Sequence, residues 1–222
     1  MYSAKIRHGT LFVFTCIVTL CLSNASNAVP ISIFNTGTNG SNGSWGSPNV
    51  SDIHYTVIAP SVFTPVTVDD TMYPFPIWLA NNYGTPGSQW IGPAGPNANG
   101  PVAPFIYRTT FNLPANAILS TAGITGSWAS DDGGTDIKIN GTSTGQTSPF
   151  NNSLTPFSIN SGFVFGTNTL DFLLTNNGGG PTGLRVDKIV GRYQVIPEPT
   201  TVALCCVGLV IGGCVCRRGR RC

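Results

Sequence analysis

From Phe105 to Leu113 the chain alternates, with Phe105, Tyr107, Thr109, Phe111 and Leu113 on one side and Ile106, Arg108, Thr110 and Asn112 on the other. A period of two is what a strand with one buried face needs; an amphipathic helix would bring its apolar residues back every three or four positions. The same period runs through Ile124 to Ser130 (Ile124, Gly126, Trp128), Asp136 to Asn140 (Ile137, Ile139) and Asn168 to Thr175 (Leu170, Phe172, Leu174). Leu184 to Val195 starts on one phase with Leu184 and Val186 and continues on the other with Ile189, Tyr193 and Val195, which predicts a bulge near Asp187-Lys188. Fainter strands are expected at Ile31 to Phe34, Ile53 to Ala59, Val62 to Val68 and Phe75 to Ala80. Asn140-Gly141 is a strong turn dipeptide, Gly37 to Asn49 is expected to be an exposed loop, and Asn176 to Pro181 must be loop as well. The expected class is therefore all-β, an antiparallel β-sandwich spanning residues 29–195.

Composition supports that class. Charged residues are 9% of the 222 against about a quarter in an ordinary soluble domain, while the chain holds 27 Gly and 17 Pro. The single glutamate is Glu198, so the usual residues of a helix surface are missing. The net charge of +2 also conceals a division, because residues 29–195 carry five basic residues against eight aspartates, a net of −3. That balance excludes a basic nucleic-acid face. Of the seven cysteines, Cys16 and Cys21 lie near the start and Cys205, Cys206, Cys214, Cys216 and Cys222 near the end. The middle has none, so neither disulfides nor a Cys-based zinc site can hold it together.

The two ends differ from the middle. Lys5 and Arg7 precede an apolar run from Leu11 to Leu22, and Ser26-Asn27-Ala28 supplies the small residues that a signal peptidase reads. Residues 1–28 are expected to be a signal peptide, helical in its apolar run, exported through the Sec translocon and cleaved after Ala28; an uncleaved anchor is the alternative. Residues 200–216 form a 17-residue uncharged stretch, enough for about 25 Å of transmembrane helix, and Arg217, Arg218, Arg220 and Arg221 form a positive stop behind it. The topology that follows places the domain outside and the arginines inside.

Pro197-Glu198-Pro199, then an apolar helix with Gly208, Gly212 and Gly213, then a terminal arginine cluster, resembles the PEP-CTERM sorting tail of bacteria that make extracellular polysaccharide. The resemblance covers residues 196–222 and implies recognition by an exosortase near Pro197, Glu198 and Pro199, with release or transfer of the domain to the cell surface or extracellular matrix. The tail cysteines depart from the alanine- and leucine-rich version, and a plain C-terminal anchor is the alternative.

In the middle, Tyr107-Arg108-Thr109-Thr110-Phe111, Trp128-Ala129-Ser130-Asp131-Asp132, Ile137-Lys138-Ile139-Asn140-Gly141, Gly166-Thr167-Asn168-Thr169-Leu170 and Gly183-Leu184-Arg185-Val186 follow one another in an order similar to the galactose-binding-like jelly roll of many carbohydrate-binding modules. That resemblance covers roughly Phe105 to Val195 and implies a jelly roll with extracellular polysaccharide as partner; fold analogy alone does not assign a ligand.

Several residues are candidates for chemistry. Asp131, Asp132 and Asp136, separated by Gly133-Gly134, are candidate oxygen ligands for calcium, although the spacing is not that of an EF-hand and a solvated hairpin turn is the alternative. Asp69-Asp70 is a weaker acidic pair. Among Trp45, Trp78, Tyr83, Trp90 and Trp128, flat faces on which sugar rings stack, Trp78 and Trp128 sit in apolar patterns and are expected in the core. Trp45 and Trp90, in Gly- and Pro-rich loops, are the candidates for ligand stacking, with loop pinning as the alternative. For catalysis the middle offers only His54, with no Gly-x-Ser-x-Gly elbow and no argued carboxylate pair. The expected protein is a non-enzymatic, exported carbohydrate binder; a structural matrix or coat protein and a glycan-active hydrolase are the alternatives.

Overall fold

The computed structural model describes residues 28–41, 43–93, 97–150 and 153–196. Within them Ala28–Gln194 forms one compact unit. Its strands, in chain order, are β1 (Ala28–Ile31), β2 (Thr56–Ala59), β3 (Val66–Thr67), β4 (Ile91–Gly92), β5 (Asn99–Gly100), β6 (Ala103–Leu113), β7 (Ala117–Asp131), β8 (Gly133–Ile139), β9 (Thr142–Ser143), β10 (Thr155–Ile159), β11 (Gly166–Asn176), β12 (Gly180–Pro181) and β13 (Gly183–Val195).

Two sheets carry the fold. One runs β10-β7-β13-β4-β3 with β1 also on β13, and the other runs β2-β6-β11-β8-β9; β12 and β5 form a small ribbon. The strand pairs of defined register are antiparallel, from Gly166 opposite Leu113 to Asn176 opposite Ala103 along β11 and β6. Their inner faces meet across aromatic rings, with Phe172 of β11 at 5.5 Å from Trp128 of β7 and 5.7 Å from Phe157 of β10. The alternation read for β6 holds: Phe105, Tyr107, Thr109, Phe111 and Leu113 are buried. Its wet face carries Arg108, whose guanidinium makes a two-pronged ion pair of 2.7 Å with Asp171 of β11.

Glycines set how closely the sheets approach. A Cβ on Gly134 would stand 2.1 Å from the Trp128 ring, so β8 can cover that indole only because position 134 has no side chain. Asn140 and Gly141 both adopt positive φ (50° and 82°), as a tight hairpin between β8 and β9 requires. Lys188, at φ 53°, lies where the phase of β13 slips, and buried residues then follow at Ile189, Gly191 and Tyr193.

Other expectations need correction. Phe75 to Ala80 is not a strand: Phe75, Ile77 and Trp78 donate their N–H groups to Met72 and Pro74 carbonyls in successive turns. Pro74 and Pro76 have no N–H to give to a ladder. The early strands are shorter or displaced, at Ala28–Ile31, Thr56–Ala59 and Val66–Thr67. Gly37 and Thr38 are buried within the expected exposed loop. The first half of β7 and all of β10 are additional; β10 is an edge strand carrying Pro156. Apart from Ala28 and Ile196, the expected signal and tail segments lie outside the described residues, and among the described residues no helix is long and apolar enough to cross a membrane.

Candidate functional site

The direct β7 to β8 connection brings Asp131 and Gly133 to one end of the sandwich, where Asn176 and Ala103 also lie, while Ile139, Leu113 and Gly166 mark the opposite end. At the Asp131 end, the long connection between β3 and β4 folds onto a second apolar cluster of Val68, Trp78, Trp90, Ala98 and Ala129. The Trp78 and Trp90 rings lie 4.3 Å apart. Trp78 Nε1 donates to Asp131 Oδ2 at 2.6 Å, and Trp90 Nε1 donates to the Leu79 carbonyl at 2.8 Å. Arg185, buried on β13, threads beneath this connection and donates to Ser88 Oγ at 3.0 Å and to the Ala80 carbonyl. With polar groups of both tryptophans and of the arginine satisfied internally, the connection rests on a stiff base.

Above that base the side chains turn outward. Asn81 accepts from the Trp90 N–H at 2.9 Å through Oδ1, and its amide nitrogen donates to Asp70 Oδ2 at 3.2 Å. The Tyr83 hydroxyl donates to the same Asp70 oxygen. Partial desolvation first, and the bond to Asp70 second, push the Tyr83 hydroxyl above its ordinary value. A chain of contacts thus runs from the buried Trp90 through Asn81 and Asp70 to a tyrosine ring that is 51% exposed. The ring is held at its hydroxyl end, and Asp70 Oδ1 accepts no hydrogen bond among the described residues.

Trp45 lies on the neighbouring hairpin, closed by the bridge between Thr38 and Ser44, while Tyr83 sits in the hairpin closed between Asn82 and Ser88. Gln89 ties the first hairpin down: Ser44 Oγ and the Gly46 N–H donate to its Oε1 at 2.7 and 3.2 Å. Trp45 stands between these two anchors and is 36% exposed. The base of this hairpin depends on Gly37, whose Cβ would fall 2.5 Å from Gln89 Cβ, and on Asp52, which accepts the Gly37, His54 and Tyr55 N–H groups. Burial outweighs those three donors and raises the Asp52 carboxyl above its ordinary value.

The other candidates fare differently. Trp90 is fully buried against Trp78, so its faces are not available to a ligand. The reason is tertiary: its Gly- and Pro-rich surroundings read as loop, yet that loop covers the end of the core. The three aspartates considered for calcium do not form one cluster. Asp131 is turned to Trp78, Asp132 Oδ2 accepts the Asn177 N–H at 2.6 Å, and Asp136 Oδ1 accepts the Gly145 N–H at 3.0 Å. Among the described residues no group of three or more His, Cys, Asp or Glu is positioned to hold a metal. His54 is stacked on Phe34 at 3.9 Å and its Nε2 lies 3.2 Å from the Asn39 carbonyl, an arrangement that serves packing. Ala28 is the first residue of β1, opposite Gln194. Pro197, Glu198, Pro199, Arg217, Arg218, Arg220 and Arg221 lie outside the described residues. The Asp70–Asn81–Tyr83 group escaped sequence reading because its members are scattered through a turn-rich segment without period; the exposed aromatic in a polar loop was the available signal.

No family model matches this sequence, and no curated protein matches it either. Among solved structures, the CBM36-1 domain of a multidomain xylanase from the hindgut metagenome of Trinervitermes trinervoides aligns at 13% identity over 78% of this chain and 100% of that one, with a TM-score of 0.29. An overlap of that quality carries no argument about this chain.

Proposed function

We propose that this chain is an exported, non-enzymatic protein whose jelly-roll-like sandwich binds polysaccharide through Tyr83, Trp45, Asp70 and Asn81. The observation that carries the reading is Tyr83: an exposed ring whose hydroxyl is tethered to a carboxylate and an amide that are themselves anchored on the buried Trp90. A pyranose presents C–H groups on its faces and hydroxyls around its rim. A fixed aromatic plane bordered by the outward Oδ1 acceptor of Asp70, with the Asn81 amide holding both Asp70 and the Tyr83 hydroxyl in place, complements both. Holding the ring in advance lowers the ordering cost of binding.

The flanking segments supply the location. The signal-like residues 1–28 direct export, and residues 196–222 hold the precursor in the inner membrane until an exosortase acts near Pro197-Glu198-Pro199, leaving the domain at the cell surface or in the polysaccharide matrix. A purely structural coat role is the second reading; it gains from the burial of Trp78, Trp90 and Trp128 and loses from the exposure of Trp45.

Affinity electrophoresis of the protein against extracellular polysaccharide tests the site. Tyr83→Ala and Trp45→Ala are each expected to weaken retardation about tenfold or less, the order of one aromatic contact, and the double variant to weaken it further than either. Equal retardation of wild type and double variant rules the site out. Mass spectrometry of the mature protein tests the sorting, with loss of residues 1–28 and of the segment after Pro199 expected.

A further inference from the structure

At the opposite end of the sandwich, the free edges of the two sheets enclose a groove of about 390 Å³ between the β8–β9 hairpin and the β10–β11 connection. That volume lies within the range of small-ligand sites, about 300–1,000 Å³. We infer that this groove is a second binding site, for a neutral polyhydroxylated chain, separate from the Tyr83 surface. The inference deepens the carbohydrate-binding reading but rests on different residues.

The lining is uniform in chemistry. Ile139 and Ile159, both buried, back the groove from the core, and around them stand Thr142, Ser143, Gln146, Ser158, Asn160 and Ser161 with no charged residue. A site built only of hydroxyls, amides and two aliphatic side chains offers an ionic ligand no counter-charge, and burying an unpaired charge is costly. A neutral ligand with hydroxyls at its rim and C–H groups on its face meets no such cost.

The groove's own hydrogen bonds narrow the occupant further. Gln146 Nε2 donates to the Ser158 carbonyl at 3.1 Å, and the Ser158 N–H donates to Gln146 Oε1 at 2.8 Å. One side chain thus takes both backbone groups at the middle of β10, the sheet edge that an added peptide strand would need. The Thr144 hydroxyl and N–H are likewise spent on the Ile137 carbonyl. Thr142, Asn160 and Ser161 are exposed, and among the described residues their side chains make no hydrogen bond. What remains open is side-chain hydroxyl and amide, which suits a sugar and not a strand.

The test uses the full chain in detergent, with neutral gluco-oligosaccharides and a uronic-acid oligosaccharide of the same length as probes. Calorimetry on the triple variant Thr142→Ala, Asn160→Ala, Ser161→Ala and on Tyr83→Ala/Trp45→Ala is combined with hydrogen-exchange mass spectrometry. The expected result is slowed exchange in residues 139–146 and 158–162 with the neutral probe, less with the uronate, and a loss of groove affinity of about tenfold or more in the triple variant. That protection persists in Tyr83→Ala/Trp45→Ala. Exchange in both segments unchanged by every neutral probe, protection undiminished in the triple variant, or equal protection by the uronate overturns the inference. Protection retained while the Tyr83 variants bind polysaccharide like wild type overturns the proposed Tyr83 site and leaves the groove standing.

Discussion

Asp131 shows how a residue's role depends on what is folded over it. In sequence it opens an acidic, glycine-rich turn; in the fold it is buried under the β3–β4 connection and bound to Trp78 Nε1. Desolvation, with Asp132 adding to it and the indole donor opposing it, pushes its carboxyl up to about 7 from 3.8. The folded value therefore lies above the unfolded one. Between about pH 4 and pH 7 the folded chain holds a proton that the unfolded chain has released, so the Asp131 contribution to stability falls as pH rises through that window and is flat above it. Asp52, also raised, acts in the same direction. Urea unfolding of wild type and Asp131→Asn at pH 4, 5.5, 7 and 8 checks this: the variant is expected to show a shallower decline, retaining the part due to Asp52, and identical slopes would refute the assignment. Of the residues proposed for ligand stacking, the fold keeps Trp45 at the surface and takes Trp90 into the core. Both stand among glycines and prolines, which report a loop without saying what the loop covers.

At the scale of elements, alternation carried most of the information. β6, the second half of β7, β8, β11 and β13 were all legible because one face of each is buried for several residues, and the phase slip at Asp187-Lys188 coincides with a left-handed residue, Lys188. β10 was not legible because Pro156 reads as a breaker, although an edge strand tolerates it. Phe75 to Ala80 misled for the converse reason: Phe75, Ile77 and Leu79 alternate by chance while Pro74 and Pro76 impose turns. The contact between Gly134 of β8 and Trp128 of β7 tests how tightly these strands are matched. Gly134→Ala places a methyl inside the indole, and an unfolding cost of about 1–3 kcal/mol is expected from such overpacking. Denaturant titration reads it, and a change within about 0.5 kcal/mol would show that the indole shifts freely.

Across the whole domain, the Tyr83 surface and the groove lie toward opposite ends: the stretch of β11 from Leu170, opposite Ile139 of the groove, to Asn176 spans on the order of 20 Å. A molecule with two such sites bridges chains that neither site could join alone, and bridging multiplies retention without any new contact. The intact protein is expected to raise the low-shear viscosity of a neutral polysaccharide solution. Tyr83→Ala/Trp45→Ala and the groove triple variant should each abolish the rise while still binding the polymer. A rise preserved in either variant would show that one end suffices.

The amino-acid sequence by itself determined that residues 29–195 form an all-β unit without disulfides, where its long strands run, and that its hairpin turns at Asn140-Gly141, because alternation, turn dipeptides and missing cysteines are local properties. Only the tertiary structure decided which aromatic faces stay open and which acids are buried. It also brought the polar edges of the two sheets together around a groove. Those outcomes depend on which distant loop closes over which end of the core, and hydrogen bonds such as Trp78 to Asp131, 53 residues apart, leave no periodic trace in the chain.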